Sequence, residues 1–393
     1  MLTVFLIALF SVPSIVMYYG RAESQSTGLA AVIGVTLIVM VLSRKAGREF
    51  LFGSAILAGI STHAVIAFLI TRPDFNRAIA SLILAGAALA LGAYVANWMF
   101  RLPAPVVTRG VAVIRLLMVG CALVSIVGIQ PVGTGQWEKS VFPFTEPSHF
   151  ALVFTPLMLH ACVTNRGFYR YVWLATGLGL TIALQSLSLA VGVAIAGLLT
   201  LSIAELALLF VIILGVIGAI DISYFADRLD FNSHTKNIST LVYLEGLELA
   251  SDAFHRTGGW GLGFQQLGQG SFSSPSADAI FKLTNGRDLN VEDGGFVAAK
   301  IVAEFGLFGI AALILIVRRI LDCARRLRTF ARQSSIEMAL TGYTLALIFV
   351  VGTTVELFVR GIGYFSGTIL LALAGGMYLH GLSSGHRAPD ARR

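Results

Sequence analysis

Charge is what this sequence lacks most. Only 12% of its 393 residues are Asp, Glu, Lys or Arg, where a soluble domain carries about a quarter. With 56% hydrophobic residues and a mean hydropathy of +0.82, a soluble globule is excluded. Cysteine is nearly absent too. Cys121 and Cys162 fall inside apolar stretches and Cys323 in a basic segment, so neither a disulfide framework nor a cysteine metal site is expected. No two histidines stand at zinc-binding spacing with a carboxylate; His63 and His160 read as packing within apolar runs, and no metal or cofactor is expected. No Walker lysine occurs, and Gly261-Leu262-Gly263 follows no strand and lacks the third glycine of a nucleotide fingerprint, which argues against ATP-driven transport. Internal repeats are missing, and Gly270 to Ser276 reads as ordinary loop. The first apolar run has no basic stretch ahead of it and no convincing small-residue cleavage site after it, so it is expected to stay as a helix.

What is present is apolar sequence in membrane-sized pieces. Stretches near the 17 to 25 residues that cross about 30 Å of hydrocarbon recur throughout, about twelve in all. They run Leu2 to Tyr19, Gly28 to Leu42, Phe50 to Ile70, Ala78 to Phe100, Gly110 to Ile129 and Phe150 to Val163. They continue as Tyr171 to Gln185, Leu187 to Leu201, Leu206 to Ile222, Phe296 to Val317, Ile336 to Phe358 and Ile362 to His380. Between Tyr171 and Ile222 the only breaks are Gln185-Ser186 and Ser202 to Glu205. The expected fold is an all-α polytopic membrane protein forming a single integral membrane domain over residues 1–393.

Short cytoplasmic loops carry an excess of Lys and Arg, which gives an independent check on these divisions. With the N-terminus inside, Arg44, Lys45, Arg48, Arg101, Arg109, Arg166, Arg170, Arg318, Arg319, Arg325, Arg326, Arg328, Arg332, Arg387, Arg392 and Arg393 fall on the cytoplasmic side. The short outer loops hold Arg21, Arg72, Arg77, Lys139 and Arg360. Sixteen against five places both termini in the cytoplasm. The net charge of +7 is then an orientation signal aided by anionic membrane lipids, and no nucleic-acid partner is needed. The cluster from Arg318 to Arg332 reads as an anchor to lipid headgroups.

One outer loop dominates, over residues 223–295, about seventy residues where a few would suffice. Its pattern argues for order. Ile238, Leu241, Leu244, Leu247 and Leu249 alternate with Glu245, Glu248 and Asp252, Ser239 stands where an N-cap is expected, and Asp252 and Arg256 are spaced as a helical pair. Gly258-Gly259-Trp260-Gly261-Leu262-Gly263-Phe264 then ends that helix, its glycines suited to a tight turn or a close backbone approach.

Polar residues at the remaining boundaries are few. Glu146-Pro147-Ser148-His149 opens a hydrophobic helix after a short aromatic loop, and if Pro147 begins that helix Glu146 and His149 share a face. Arg115 lies in mid-span, where a charge costs about 2.5 to 3.5 kcal/mol and must face a cavity or a partner such as a buried carboxylate. Lys300 and Glu304 are four apart, spaced as a mutual pair, and so are Glu356 and Arg360.

Together these residues resemble a family. Glu146-Pro147-Ser148-His149 on the outer face, the loop segments Asn237 to Gly246 and Gly261 to Gly268, then Asp293-Gly294-Gly295-Phe296 and Glu304-Phe305-Gly306, are similar to the Wzy-type O-antigen and capsular polysaccharide polymerases, and more distantly to the O-antigen ligases. The likeness covers residues 146–309; the first four spans contribute only hydrophobicity. The resemblance implies a GT-C-like, metal-independent glycosyltransferase of the bacterial inner membrane with a periplasmic active site. Its substrate would be undecaprenyl-pyrophosphate-linked oligosaccharide, the growing chain leaving its lipid pyrophosphate for a sugar hydroxyl of another lipid-linked unit. A chain-length regulator and a flippase are the implied partners.

Such chemistry needs a group to take the hydroxyl proton and cations for the departing pyrophosphate. Glu146 and His149 are the candidates for the first, with Glu292 and Asp293 as competing carboxylates; for Glu146 the alternative is a helix-start carboxylate favoured by the dipole. For the pyrophosphate the candidates are Arg115, Arg228, Arg256, Arg287, Lys300 and Arg360. Tyr243 stands with Glu245 where the family would place a second loop arginine, and it joins Trp137, Trp260 and Phe264 as a candidate for sugar contact, the alternative being interfacial anchoring. No histidine stands near Asp293, where a ligase would have one. A ligase, or a secondary transporter or flippase using Arg115, Lys300 and Glu356 as a path, are the rival readings.

Overall fold

A computed structural model describes residues 1–20, 24–43, 49–71, 74–128, 140–219, 228, 231, 235–269, 274–286, 291–332 and 342–383. Arg287 and Trp137 lie outside the described residues, as do many of the loop charges used for orientation. Among the described residues the chain is helical throughout, with no strand and one isolated bridge between Val141 and Phe144.

Among the described residues nine apolar helices precede the long loop. They are α1 (Leu2–Tyr19), α2 (Gln25–Ser43), α3 (Glu49–Thr71), α4 (Phe75–Trp98), α5 (Ala104–Ile126), α6 (Pro147–Thr164), α7 (Phe168–Ala183), α8 (Leu187–Thr200) and α9 (Ile203–Ala219). A 3-10 turn, Met99–Arg101, extends α4. The loop holds α10 (Ile238–Arg256) and α11 (Pro275–Leu283); α12 (Val297–Arg332), α13 (Gly342–Gly352), α14 (Thr354–Phe358) and α15 (Gly367–Ser383) follow. By length and composition α3, α4 with its turn, α5, α6 and α12 can each cross a membrane. Shorter apolar helices lie at Leu2–Met17, Gln25–Val39, Leu187–Thr200, Gly342–Phe358 and Gly367–Ser383.

The breaks inside the long apolar tract are made by local capping. Ser186 accepts a hydrogen bond from Leu189 N at 3.3 Å and Gln185 turns into the left-handed region at φ 50, ending α7 and starting α8. Ser202 and Glu205 form a reciprocal capping box, Glu205 N donating to Ser202 Oγ and Ser202 N to Glu205 Oε2, which starts α9. In the loop the cap is Asn237, whose side chain accepts from Ser239 N and Thr240 N; Ser239, the expected cap, is two residues inside.

α6 is the hub. In its apolar window 83% of residues are buried, against 22% for α3, so α6 faces protein where α3 faces outward. It packs against α5, α7, α8, α12, α13 and α15. The guanidinium of Arg170 ties three helix ends together at its far end, donating to the carbonyls of Cys162, Thr200 and Ala331 at 3.1, 2.7 and 2.9 Å. Each of those carbonyls would otherwise lack an intrahelical partner or a buried donor.

Two expectations change at the C-terminal side. The basic segment 318–332 is no loop: α12 continues through it, 36 residues in all, with Ile320, Cys323, Leu327 and Ala331 buried at helical spacing. Past its break at Gly306 the helix still runs from Leu307 to Arg332, about 39 Å against a hydrocarbon core of about 30 Å, so this part extends past the apolar span. The run from Ile336 to Phe358 is likewise not one helix, since Thr353 interrupts it between α13 and α14. Thr353 and Thr354 hydroxyls bond back to the carbonyls of Val350 and Val351, which competes with the helical ladder there.

Candidate functional site

The long loop is locked onto the bundle through a break in α12. Gly306 adopts φ 55, ψ −128 inside that helix, and the interruption leaves backbone groups around it without helical partners. The glycine-rich segment takes them: Leu262 N donates to Ala303 O at 3.0 Å, Gly263 N to Glu304 O at 2.9 Å, and Leu307 N to Gly259 O at 2.8 Å. A Cβ on Gly306 would lie 2.0 Å from Gly259 O, so only glycine permits this approach. The glycines thus serve backbone packing.

Glu304 completes the lock from within. Its side chain is fully buried, accepts from Gln265 N at 2.9 Å and Leu267 N at 3.2 Å, and faces Lys300 Nζ at 3.5 Å, as their spacing predicts. Lys300 also donates to the carbonyl of Glu292 and lies 5.4 Å over the ring of Tyr364. Helices α3 and α4 add ties that hydropathy alone conceals. Gln266 exchanges two hydrogen bonds with the Asp74 backbone, Thr71 Oγ1 donates to Leu262 O, His63 stacks on Trp260, and Arg77 pairs with Glu292 at 2.8 Å.

This lock places the segment 291–296 beside the start of α6. Gly361 N donates to Gly295 O at 2.9 Å, and Gly363 sits so close to Asp293 that a Cβ there would be 2.8 Å from Oδ1. The link between α14 and α15 therefore presents Arg360 to Glu146. Their separation is 3.2 Å, with side chains 15% and 38% exposed, so neither is sealed inside the bundle. Burial pushes the Glu146 carboxyl up, but Arg360 foremost, with His149 and the Ser148 hydroxyl, outweighs that and brings it down to about 2. Pro147 does begin α6, Glu146 is its N-cap residue, and Ser148 Oγ donates to Glu146 Oε2 at 2.7 Å.

One helical step inward, His149 is buried, with Gln25 Nε2 and Thr145 Oγ1 each 3.0 Å from its Nδ1. The charges of Glu146, Arg360 and Asp293 all act on it. The ring lines a narrow crevice between α1, α2, α6 and the start of α15, shared with Ser14, Gln25, Ser366 and Thr368. Four sequence candidates, Glu146, His149, Asp293 and Arg360, are thus gathered at one end of the molecule.

The others stand elsewhere. Lys300 is next to this cluster but turned inward, 2% exposed, with its ammonium held by Glu292 and Glu304. Tyr243 stacks on Phe296 at 4.5 Å between ring centroids. Arg228 is half-buried at the start of α10, where its carbonyl accepts from Thr240 Oγ1. Arg256 is 54% exposed and pairs with Asp252 at 2.8 Å, as their spacing predicts. Arg115 belongs to a different place: it lies 4.2 Å over the ring of Trp173 and acts electrostatically on His160 and Cys162. His160 is fourteen residues along α6 from Glu146, about 21 Å of helix, and the partner of Arg115 is an aromatic face in place of the expected carboxylate. Glu356 does not pair with Arg360. It is buried beside Thr368, whose hydroxyl donates to it, because Arg360 lies beyond the end of α14 and reaches Glu146.

Gln25, Thr145 and Ser148 are the site residues that pattern reading misses. Each is a small or neutral polar group at a helix end, a signal shared with ordinary caps. Among the described residues no three His, Cys, Asp or Glu side chains come together as a metal-ligand group. The chain matches no family model, no curated protein and no solved structure.

Proposed function

We propose that this chain is a polysaccharide polymerase of the bacterial inner membrane, a GT-C-like glycosyltransferase with about twelve membrane crossings, both termini cytoplasmic and the Glu146 end periplasmic. The main support is the partly exposed Glu146–Arg360 pair standing with His149 and Asp293 at the start of α6. In the transfer, the acceptor sugar oxygen bonds to the donor's anomeric carbon as the bond from that carbon to the pyrophosphate oxygen breaks. The hydroxyl proton passes to a carboxylate, for which Asp293 is the better placed, since Glu146 is held ionised and weakly basic by Arg360. The lipid pyrophosphate departs with its negative charge, and Arg360 exchanges Glu146 for phosphate oxygens, to which its planar fork is suited. Substrate is undecaprenyl-pyrophosphate-linked oligosaccharide, with surrounding lipid, a chain-length regulator and a flippase as partners.

A flippase or transporter is the second reading, favoured by buried Glu356, one of whose carboxylate oxygens has no hydrogen-bond partner. Purified protein in proteoliposomes, supplied with lipid-pyrophosphate oligosaccharide, separates the two. Polymerase activity yields a ladder of lengthened lipid-linked products; passage of unchanged substrate across the bilayer would establish transport instead. Transfer of finished polymer to a different acceptor would identify a ligase. A ladder that survives Glu146→Gln combined with Asp293→Asn would remove these carboxylates from the mechanism.

A further inference from the structure

The neighbours of His149 decide more than its position. Gln25, from the opening turn of α2, is as buried as the histidine, each 8% exposed. Its Nε2 lies 3.0 Å from His149 Nδ1. An amide nitrogen only donates, so Nδ1 must offer its lone pair, and a neutral ring then carries its proton on Nε2. Thr145 Oγ1, four residues earlier in the chain, is also 3.0 Å from this nitrogen, and with Nδ1 accepting, its hydroxyl can share that lone pair with the amide as an alternative donor. No carboxylate contacts Nδ1 among the described hydrogen bonds, so nothing there draws the proton to that side.

We infer that Gln25 is a positioning residue that holds His149 in the tautomer protonated at Nε2, with Thr145 assisting. His149 then serves the site as a hydrogen-bond donor to a phosphate or sugar oxygen, and the proton-accepting role falls to a carboxylate. Only this last functional clause rests on the polymerase reading; the tautomer itself does not. Donors of fixed orientation are what a departing pyrophosphate requires, whereas a ring already protonated at Nε2 cannot take a proton there.

A single isosteric change inverts the arrangement. Glutamate at this position accepts only, so Gln25→Glu draws the proton to Nδ1 and leaves Nε2 with a free lone pair. The test is the imidazole ¹⁵N spectrum of the full-length protein labelled at histidine, with the His149 signals identified by their loss in His149→Gln. Wild type is expected to show protonated Nε2 and unprotonated Nδ1, Thr145→Val the same pattern, Gln25→Glu the inverted one, and Gln25→Leu a mixture. Unchanged His63 and His160 signals certify that each variant is folded. Protonated Nδ1 in wild type, or an unaltered pattern in Gln25→Glu, overturns the inference. In the ladder assay Gln25→Glu is expected to lose at least tenfold in chain extension, and an equal rate overturns the donor role. A wild type that makes no ladder fails the polymerase reading alone, because the spectra need no turnover.

Discussion

Two ion pairs that flank the segment 291–296 have opposite characters. Lys300–Glu304 has side chains 2% and 0% exposed, and Glu304 accepts two further loop amides. Glu146–Arg360 is 38% and 15% exposed. The first holds the loop 259–267 against the break in α12; the second can exchange one partner for a ligand. Proximity to a site therefore does not make a charge part of its chemistry. The difference lies in whether removing the partner leaves a stranded charge or a solvated one.

The largest effect should come from breaking the buried pair. Glu304→Ala strands the Lys300 ammonium and two loop amides, and about 3–5 kcal/mol of unfolding free energy should be lost, read as a sharply lowered thermal midpoint in detergent. An unchanged midpoint would mean that the loop is held by other contacts. Arg360→Ala should act in reverse, costing about 1 kcal/mol or less in stability while lowering chain extension on the order of 100-fold. Arg360→Lys, which keeps charge but not the fork, should recover part of the rate.

Acid provides a finer contrast. Glu146 has a folded-state value of about 2 against an ordinary 4.5, so its stabilising contribution is complete above about pH 4.5 and disappears as pH falls through 2. Because Arg360 is the foremost lowering influence, Arg360→Ala should shrink that acid-sensitive window, which unfolding transitions followed from about pH 5 to 2 would register. The smallest effect is expected at Arg256. Its exposed pair with Asp252 should contribute within about 0.5 kcal/mol, and Arg256→Ala should leave both melting and chain extension near wild type; a large loss of activity would bring α10 into the site.

Much of this was legible where the cause is local. The breaks at Gln185-Ser186 and Ser202 to Glu205, the Asp252–Arg256 and Lys300–Glu304 pairs and the start of α6 at Pro147 all depend on residues within four positions of each other. Where a distant partner competes with a local one, legibility fails. Glu356 has the helical spacing to reach Arg360, yet α14 ends at Phe358, and Arg360 turns to a carboxylate 214 residues away in the chain. The helical course of segment 318–332 was concealed because its arginines mask an apolar stripe at Ile320, Cys323, Leu327 and Ala331.

The amino-acid sequence by itself determined an apolar, all-helical chain, the place of its one long loop and the caps that start its helices, since hydropathy and capping act over a turn or two. Only the tertiary structure decided that Gln25 would meet His149, that Asp74 and Thr71 would hold the loop, that Arg115 would rest on Trp173, and that Arg360 would close on Glu146. Those pairings join residues far apart in the chain. Which of several chemically equivalent partners wins is set by helix packing and by the kink at Gly306, and neither is encoded within any single window.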